Sequence, residues 1–284
     1  GRLQEVIGFG TAAIEIKSGY GLTLEAELKM LRVIKRLKEE SPIPVKATFL
    51  GAHAYPTEYK ADHQGYLNLI INEMLPAIAE EGLAEYVDAF LERNYFSLEE
   101  TMQVLDAAAT YGLKPKVHVN QFSSIGGVKA CVDRGAISVD HLEEMAEEDY
   151  AALANGQTLP VVLPTCSFFI KIPYAPARTM IDRGLPVVIA TDYNPGSTPG
   201  GKLPFAMSLA CIKMGLLPEE TFNAVGLNAA YALELQEEVG SIGVGKKANF
   251  LITSEIPSLA FIPYAFSSDH IDEVWVNGQQ WSRA

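Results

Sequence analysis

Seven short, β-prone apolar runs recur along this chain, and every gap between them is long enough for a helix. The runs are Thr11–Lys17, Pro44–Gly51, Tyr86–Glu92, Lys116–Asn120, Ala136–His141, Leu159–Pro164 and Pro186–Asp192. Strands that alternate with helices pair in parallel through crossovers. The runs are nearly continuous in apolar residues, as expected of strands covered on both faces. A closed barrel of this kind needs eight strands. The chain opens at Arg2–Ile7, which reads as the tail of a helix, followed by a Gly8-Phe9-Gly10 turn. The expected architecture is therefore an α/β TIM-type barrel, (β/α)8, whose first strand lies upstream of Gly1. The alternative is an open doubly wound sheet. No G-x-G-x-x-G follows an early strand, so its dinucleotide-binding version has no support.

Two helices can be bounded in advance. Leu24–Glu39 repeats Leu24, Leu28, Leu31 and Ile34 at spacings of three and four. Ser97–Tyr111 begins with Ser97 three residues before Glu100, a capping box, and Gly112 offers a stop. Beyond about Gly240 the texture changes. Gly240–Thr253 and His270–Trp281 read as short strands around turns, with Val276-Asn277-Gly278 as a hairpin signal.

Composition removes several function classes. With 22 basic and 35 acidic residues the formal charge is −13, unsuited to nucleic acid or an anionic membrane surface. Three cysteines without a C-x-x-C pair argue against a disulfide framework or thiolate zinc knuckle. No apolar run reaches the roughly 20 residues that span a bilayer. A soluble protein of the cytoplasm is the default expectation.

The polar residues cluster at the C-terminal ends of the expected strands. The first runs into Lys17-Ser18-Gly19-Tyr20-Gly21, the second into His53, and the third ends at Glu92. The fourth carries His118 and meets Gln121, the fifth ends at Asp140-His141, and the seventh ends at Asp192 before Asn194-Pro195-Gly196-Ser197. In a barrel those ends share one face, so distant residues become neighbours. Singly, each has a plainer reading: His118 a hydrogen-bonded structural histidine, Asp192 a turn cap, Asn194-Pro195-Gly196 a turn, Gln121 a solvated amide. Of the other histidines, His63 and His270 read as surface residues. Together, imidazoles and a carboxylate suit zinc or ferrous iron, and a metal-activated water hydrolyses unactivated amides. A second histidine could move protons near neutral pH.

The ordered motifs EIKSGYG (Glu15–Gly21), FLGAHA (Phe49–Ala54), HVNQ (His118–Gln121), SVDHLE (Ser138–Glu143), LPTCSFF (Leu163–Phe169), ATDYNPGS (Ala190–Ser197) and VGKKANFLI (Val244–Ile252) resemble imidazolonepropionase, of the amidohydrolase superfamily. The resemblance implies hydrolysis of 4-imidazolone-5-propanoate to N-formimidoyl-L-glutamate in histidine degradation, with one divalent metal, zinc or iron. It implies a barrel over residues 1–238, incomplete here, and residues 239–284 as part of a composite β-sandwich. His118 and Asp192 match metal ligands. Tyr20, His53, Gln121, Asn194, Gly196 and Ser197 match substrate contacts. His141 and Asp192 match catalytic proton-transfer positions. A small-molecule substrate and a possible homodimer also follow from the resemblance.

Two departures stand out. The family's first barrel strand carries an H-x-H pair of metal ligands followed by a substrate-gripping Arg; no two histidines here are separated by one residue. Strand count and missing ligands thus both point upstream of Gly1. Many relatives also have an acid where Asn120 stands, and some have Glu at Gln121; an amide cannot act as a base. The competing readings are another cyclic amidohydrolase or deaminase, and an inactive fragment acting as a binding module.

Overall fold

The structure, a computed structural model, describes residues 1–282. Its elements run α1 (Arg2–Gly8), β1 (Ile14–Lys17), α2 (Leu24–Glu40), β2 (Val45–Ala52), α3 (His63–Leu69), α4 (Leu75–Glu81), β3 (Tyr86–Leu91), α5 (Leu98–Ala109), β4 (Lys114–Val119), α6 (Gly127–Asp133), β5 (Ser138–His141) and α7 (Glu147–Asn155). They continue with β6 (Leu159–Val162), α8 (Pro164–Ile170), α9 (Ala177–Asp182), β7 (Val188–Ile189), α10 (Leu203–Met214), α11 (Pro218–Val225), α12 (Leu227–Ala232), β8 (Phe250–Thr253), α13 (Phe261–Tyr264), β9 (Ile271–Val276) and β10 (Gln279–Trp281). All seven expected runs form strands. No helix among the described residues is long and apolar enough to cross a membrane.

The chain divides into two compact units. One comprises Glu15–Ser41 and Val45–Leu159 and holds β1 to β5 side by side in chain order. The parallel register sets Phe90 opposite His118, His118 opposite Asp140, and Val119 opposite His141. Phe49, Val87, Ala89, Val117 and Val139 are almost fully buried, and α2 covers the sheet with Leu28, Leu31 and Ile34. The α5 cap forms as anticipated: Glu100 N donates to Ser97 Oγ at 3.3 Å and Ser97 N to Glu100 Oε2 at 2.7 Å. Gly112, at φ +78°, then reverses the chain, and Leu113 N returns to Ala108 O at 3.2 Å.

The other unit comprises Gly1–Ile14, Pro42–Pro44 and Pro160–Ala284. In it β6 and β7 pair in parallel, Val161 opposite Val188. β7 is only two residues long, shorter than its apolar run. Pro186 has no N–H to donate, and Asp192 at φ +53° is left-handed rather than extended. The three strands β8, β9 and β10 form an antiparallel sheet. Asn277 and Gly278, at φ +51° and +77°, make the anticipated two-residue hairpin turn. Only the last four residues of Gly240–Thr253 form a strand. The sheet's Val274 and Val276 bury against Ile7 of α1, with Trp281 alongside.

Candidate active site

The Lys17–Gly21 segment is shaped from a helix. Glu27, fully buried in the first turn of α2, accepts N–H bonds from Gly19 at 2.9 Å, Gly21 at 2.8 Å and Leu22 at 2.9 Å. Three donors converging on one carboxylate fix the loop. Its glycines are forced by space: a Cβ on Gly21 would meet Ala26 at 2.6 Å, and on Gly19 (φ +104°) the Leu50 carbonyl at 2.8 Å. Tyr20, half exposed, is held out between them.

Tyr20 leads into a chain of aromatic rings. Its ring centroid lies 5.3 Å from that of His53, His53 is 6.3 Å from His118, and His118 is 5.2 Å from His141. Four residues singled out from separate strand ends are therefore neighbours in one unit. His53 Nδ1 lies 2.8 Å from the Gly19 carbonyl. A carbonyl only accepts, so Nδ1 carries the proton and Nε2 is left as an acceptor. Burial outweighs that bond and holds His53 below the usual imidazole range, in the neutral form. His141 is buried with φ +89°, and Leu142 follows at +67°. Such geometry in non-glycine residues costs energy and gathers at functional sites. His141 Nδ1 faces Glu143 Oε2 at 3.7 Å.

Around His118 lies a belt of charges, of which the strand reading named only Lys17 and Asp140, without connecting them. Lys17 Nζ sits 2.7 Å from Asp88 Oδ2 and 2.8 Å from Asp140 Oδ2. Lys116 Nζ is 2.8 Å from Glu15, and His118 Nδ1 is 2.8 Å from Asp88 Oδ2. Burial, the largest influence on each group, disfavours charge, yet Lys17 stays well above its usual range beside Asp140 and Asp88. Asp88 is held below the usual carboxylate range by His118 and Lys17, and His118 is raised by Asp88. Two lysines against three carboxylates leave one negative charge beside His118, which favours a proton or a metal there. The signal was present as a period of two: Glu15/Lys17, Lys116/His118 and Ser138/Asp140 each share a strand face.

Gln121 is buried rather than solvated. Asn120, at φ +59°, donates from Nδ2 to the Glu144 carbonyl at 2.7 Å and to Asp149 Oδ2 at 2.9 Å. An amide is needed there because both partners are acceptors. Glu92 anchors the next turn, accepting from Phe122 N at 2.8 Å, Ser123 N at 3.2 Å and the Ser123 hydroxyl. Beside it opens a hollow of about 690 Å³ lined by Glu92, Arg93, Asn94, Tyr95, Phe122 and Ser123. Phe90 links this hollow to the histidines, 6.1 Å from the His118 ring.

The Asp192–Ser197 loop belongs to the other unit and is organised by Asn194. Asn194 Oδ1 accepts from Gly196 N at 2.8 Å and Ser197 N at 2.7 Å. Its Nδ2 donates to Asp192 O at 2.7 Å and Ser197 Oγ at 2.9 Å. The Ser197 hydroxyl reaches Asp192 Oδ2 at 3.2 Å. Asp192, Asn194, Gly196 and Ser197 are thus brought together, and the turn reading of Asn194 is correct as far as it goes. Of the remaining histidines, His63 is exposed and His270 half-buried against Phe261.

The amidohydrolase family model matches residues 9–281. The chain is 59% identical to the imidazolonepropionase of Christiangramia forsetii and 58% to that of Flavobacterium johnsoniae, over 98% of this chain and 68% of each relative. The chain belongs to the imidazolonepropionase family. The likeness extends to the Alkaliphilus metalliredigens member at 43% identity, over 98% of this chain and 66% of that one. Among solved structures, 5-methylcytosine deaminase from Klebsiella pneumoniae superposes with a TM-score of 0.77 at 14% identity, covering 100% of this chain and 73% of that one. A zinc-bound adenosine deaminase from Xanthomonas campestris gives 0.74 at 15%, covering 98% and 68%. These distant matches fix the fold class: seven parallel strands of an amidohydrolase (β/α)8 barrel, with a small antiparallel sheet after them.

Proposed function

We propose that this protein opens the ring of 4-imidazolone-5-propanoate by hydrolysis, giving N-formimidoyl-L-glutamate. The observation that carries the reading is the 59% identity to an imidazolonepropionase along nearly the whole chain. The water oxygen ends on the ring carbonyl carbon, the adjoining C–N bond breaks, and its nitrogen leaves with a proton.

A divalent ion, zinc or iron, is assigned to His118 and Asp192, as two of its ligands. His118 suits that role: its Nδ1 faces a buried carboxylate, the arrangement that orients a ligating imidazole, and its surroundings carry a net negative charge. When bound, the ion acidifies a water and polarises the carbonyl. The chain's own groups do the rest. His53 accepts a ring N–H through Nε2, and Tyr20, Gln121, Gly196 and Ser197 contact the substrate. Asn194, with its amide already engaged, shapes the loop and offers the substrate only what it can share. Asp192 takes the proton of the attacking water, and His141 stabilises charge on the carbonyl oxygen or passes the proton to the leaving nitrogen. Residues 239–284 are assigned to a composite β-sandwich, and the protein to the cytoplasm as a homodimer.

The test is formation of N-formimidoyl-L-glutamate, followed by mass spectrometry, from protein supplied with zinc or ferrous iron. No product from the protein extended to its relatives' full length would refute the reading; turnover of aminopurines or other cyclic amides instead would favour the deaminase alternative. The 284 residues alone are expected to be inactive, because two ligands are too few for a four-coordinate site.

A further inference from the structure

Ligand atoms of Asp88, His118 and Asp140 lie within 4.8 Å of one another, a spacing that could hold a metal ion. Two of these residues already share a cation. The Lys17 ammonium is within hydrogen-bond distance of both carboxylates and 3.5 Å from Glu15. Its backbone cannot drift: Ser18 Oγ accepts from Leu50 N at 3.0 Å, and Gly19 N is held by Glu27. Resting on the metal assignment above, we propose that Lys17 sets the metal count, its ammonium standing where a second divalent ion would otherwise bind between Asp88 and Asp140.

Charge decides between the occupants. With Lys17 and Lys116 facing Glu15, Asp88 and Asp140, the cluster carries one negative charge, enough to favour one divalent ion at His118. A second ion beside Lys17 would leave a buried excess of positive charge, which is strongly unfavourable. Removing Lys17 takes one positive charge out of that excess and frees both carboxylates to hold the ion. The two carboxylates then supply hard oxygen donors, which zinc accepts.

The experiment counts zinc per chain by plasma mass spectrometry after equilibration with excess zinc and gel filtration. It compares wild type, Lys17→Met and Lys17→Arg, each in the protein extended to its relatives' full length. Lys17→Met is expected to hold one zinc more than wild type, and Lys17→Arg the wild-type number. A folded Lys17→Met with the wild-type count overturns the proposal, as does a wild type that takes two. Should Lys17→Met be unstable, its melting temperature is read with and without zinc. A zinc-dependent rise larger than that of wild type supports the proposal, and the absence of such a rise overturns it. A wild type that binds no zinc refutes the metal assignment at His118, whereas the difference between variants tests Lys17 separately.

Discussion

Replacing Asn120 by aspartate exchanges a double donor for a charge between two acceptors. The new carboxylate would stand about where Nδ2 now lies, 2.9 Å from Asp149 Oδ2 and 2.7 Å from the Glu144 carbonyl. Two unit charges at that separation repel by about 6 kcal/mol at an effective dielectric of roughly 20. The protein can escape part of this by protonating one carboxyl. Keeping an acid of ordinary pKa near 4 protonated at pH 7 costs about 4 kcal/mol, at 1.36 kcal/mol per unit. The lost bond to Glu144 adds roughly 1–3 kcal/mol. The terms overlap, so a loss of about 3–5 kcal/mol is expected at pH 7, or a melting temperature lower by roughly 6–20 °C. The pair's folded pKa is raised above its unfolded value, so the penalty grows as pH rises through that value and shrinks towards pH 5. Adding Asp149→Asn should remove the repulsive part. Urea unfolding at pH 5 and pH 8 decides: a loss below about 0.5 kcal/mol, equal at both pH values, would refute the reasoning.

Other substitutions probe separate parts of the site. Glu27→Gln removes an acceptor oxygen from the Lys17–Gly21 loop; KM should rise several-fold with a smaller change in kcat, and an unchanged KM would detach Tyr20 from substrate binding. Asp88→Asn should weaken metal binding about 10–100-fold through His118, read by competition with a chelator. Ser97→Ala should cost about 1 kcal/mol by opening the α5 cap. Glu100, after the opposing effect of burial, is held below its usual range by its Ser97 and His63 bonds. Its contribution is therefore present above its unfolded value near 4.5 and is lost as pH falls through the folded one. The difference between wild type and Glu100→Gln should accordingly shrink in acid, as checked by thermal melts from pH 7 to pH 3.

Much of the scaffold was legible because local rules and tertiary packing agreed. The Ser97–Glu100 box, the Gly112 stop and the Asn277-Gly278 turn are short-range devices that tertiary context left intact. The strand-end histidines were legible for a different reason: polar residues closing an apolar run have few structural explanations in common. The charge belt was not read, because Asp88 and Lys116 lie inside runs judged by their apolar neighbours, Lys17 was read only as a strand end, and a two-residue period is faint in four to six positions. Glu27 escaped because the Leu24–Ile34 stripe was read only for its leucines and isoleucine. The purpose of Asn120 depends on Asp149, which is 29 positions away, and no local pattern predicts such a pair.

The anchoring of the Lys17–Gly21 loop to Glu27 has a consequence for how this site can change over evolutionary time. A loop fastened by its own contacts tolerates insertions at its tip. This one is tied at the amides of Gly19, Gly21 and Leu22 to a single helical residue only five to eight positions downstream. Its length is therefore locked to the start of α2, and a one-residue insertion would swing Tyr20 away while leaving the sheet intact. Side-chain exchanges at Tyr95 or Phe122, on the rim of the neighbouring hollow, require no such change in loop length.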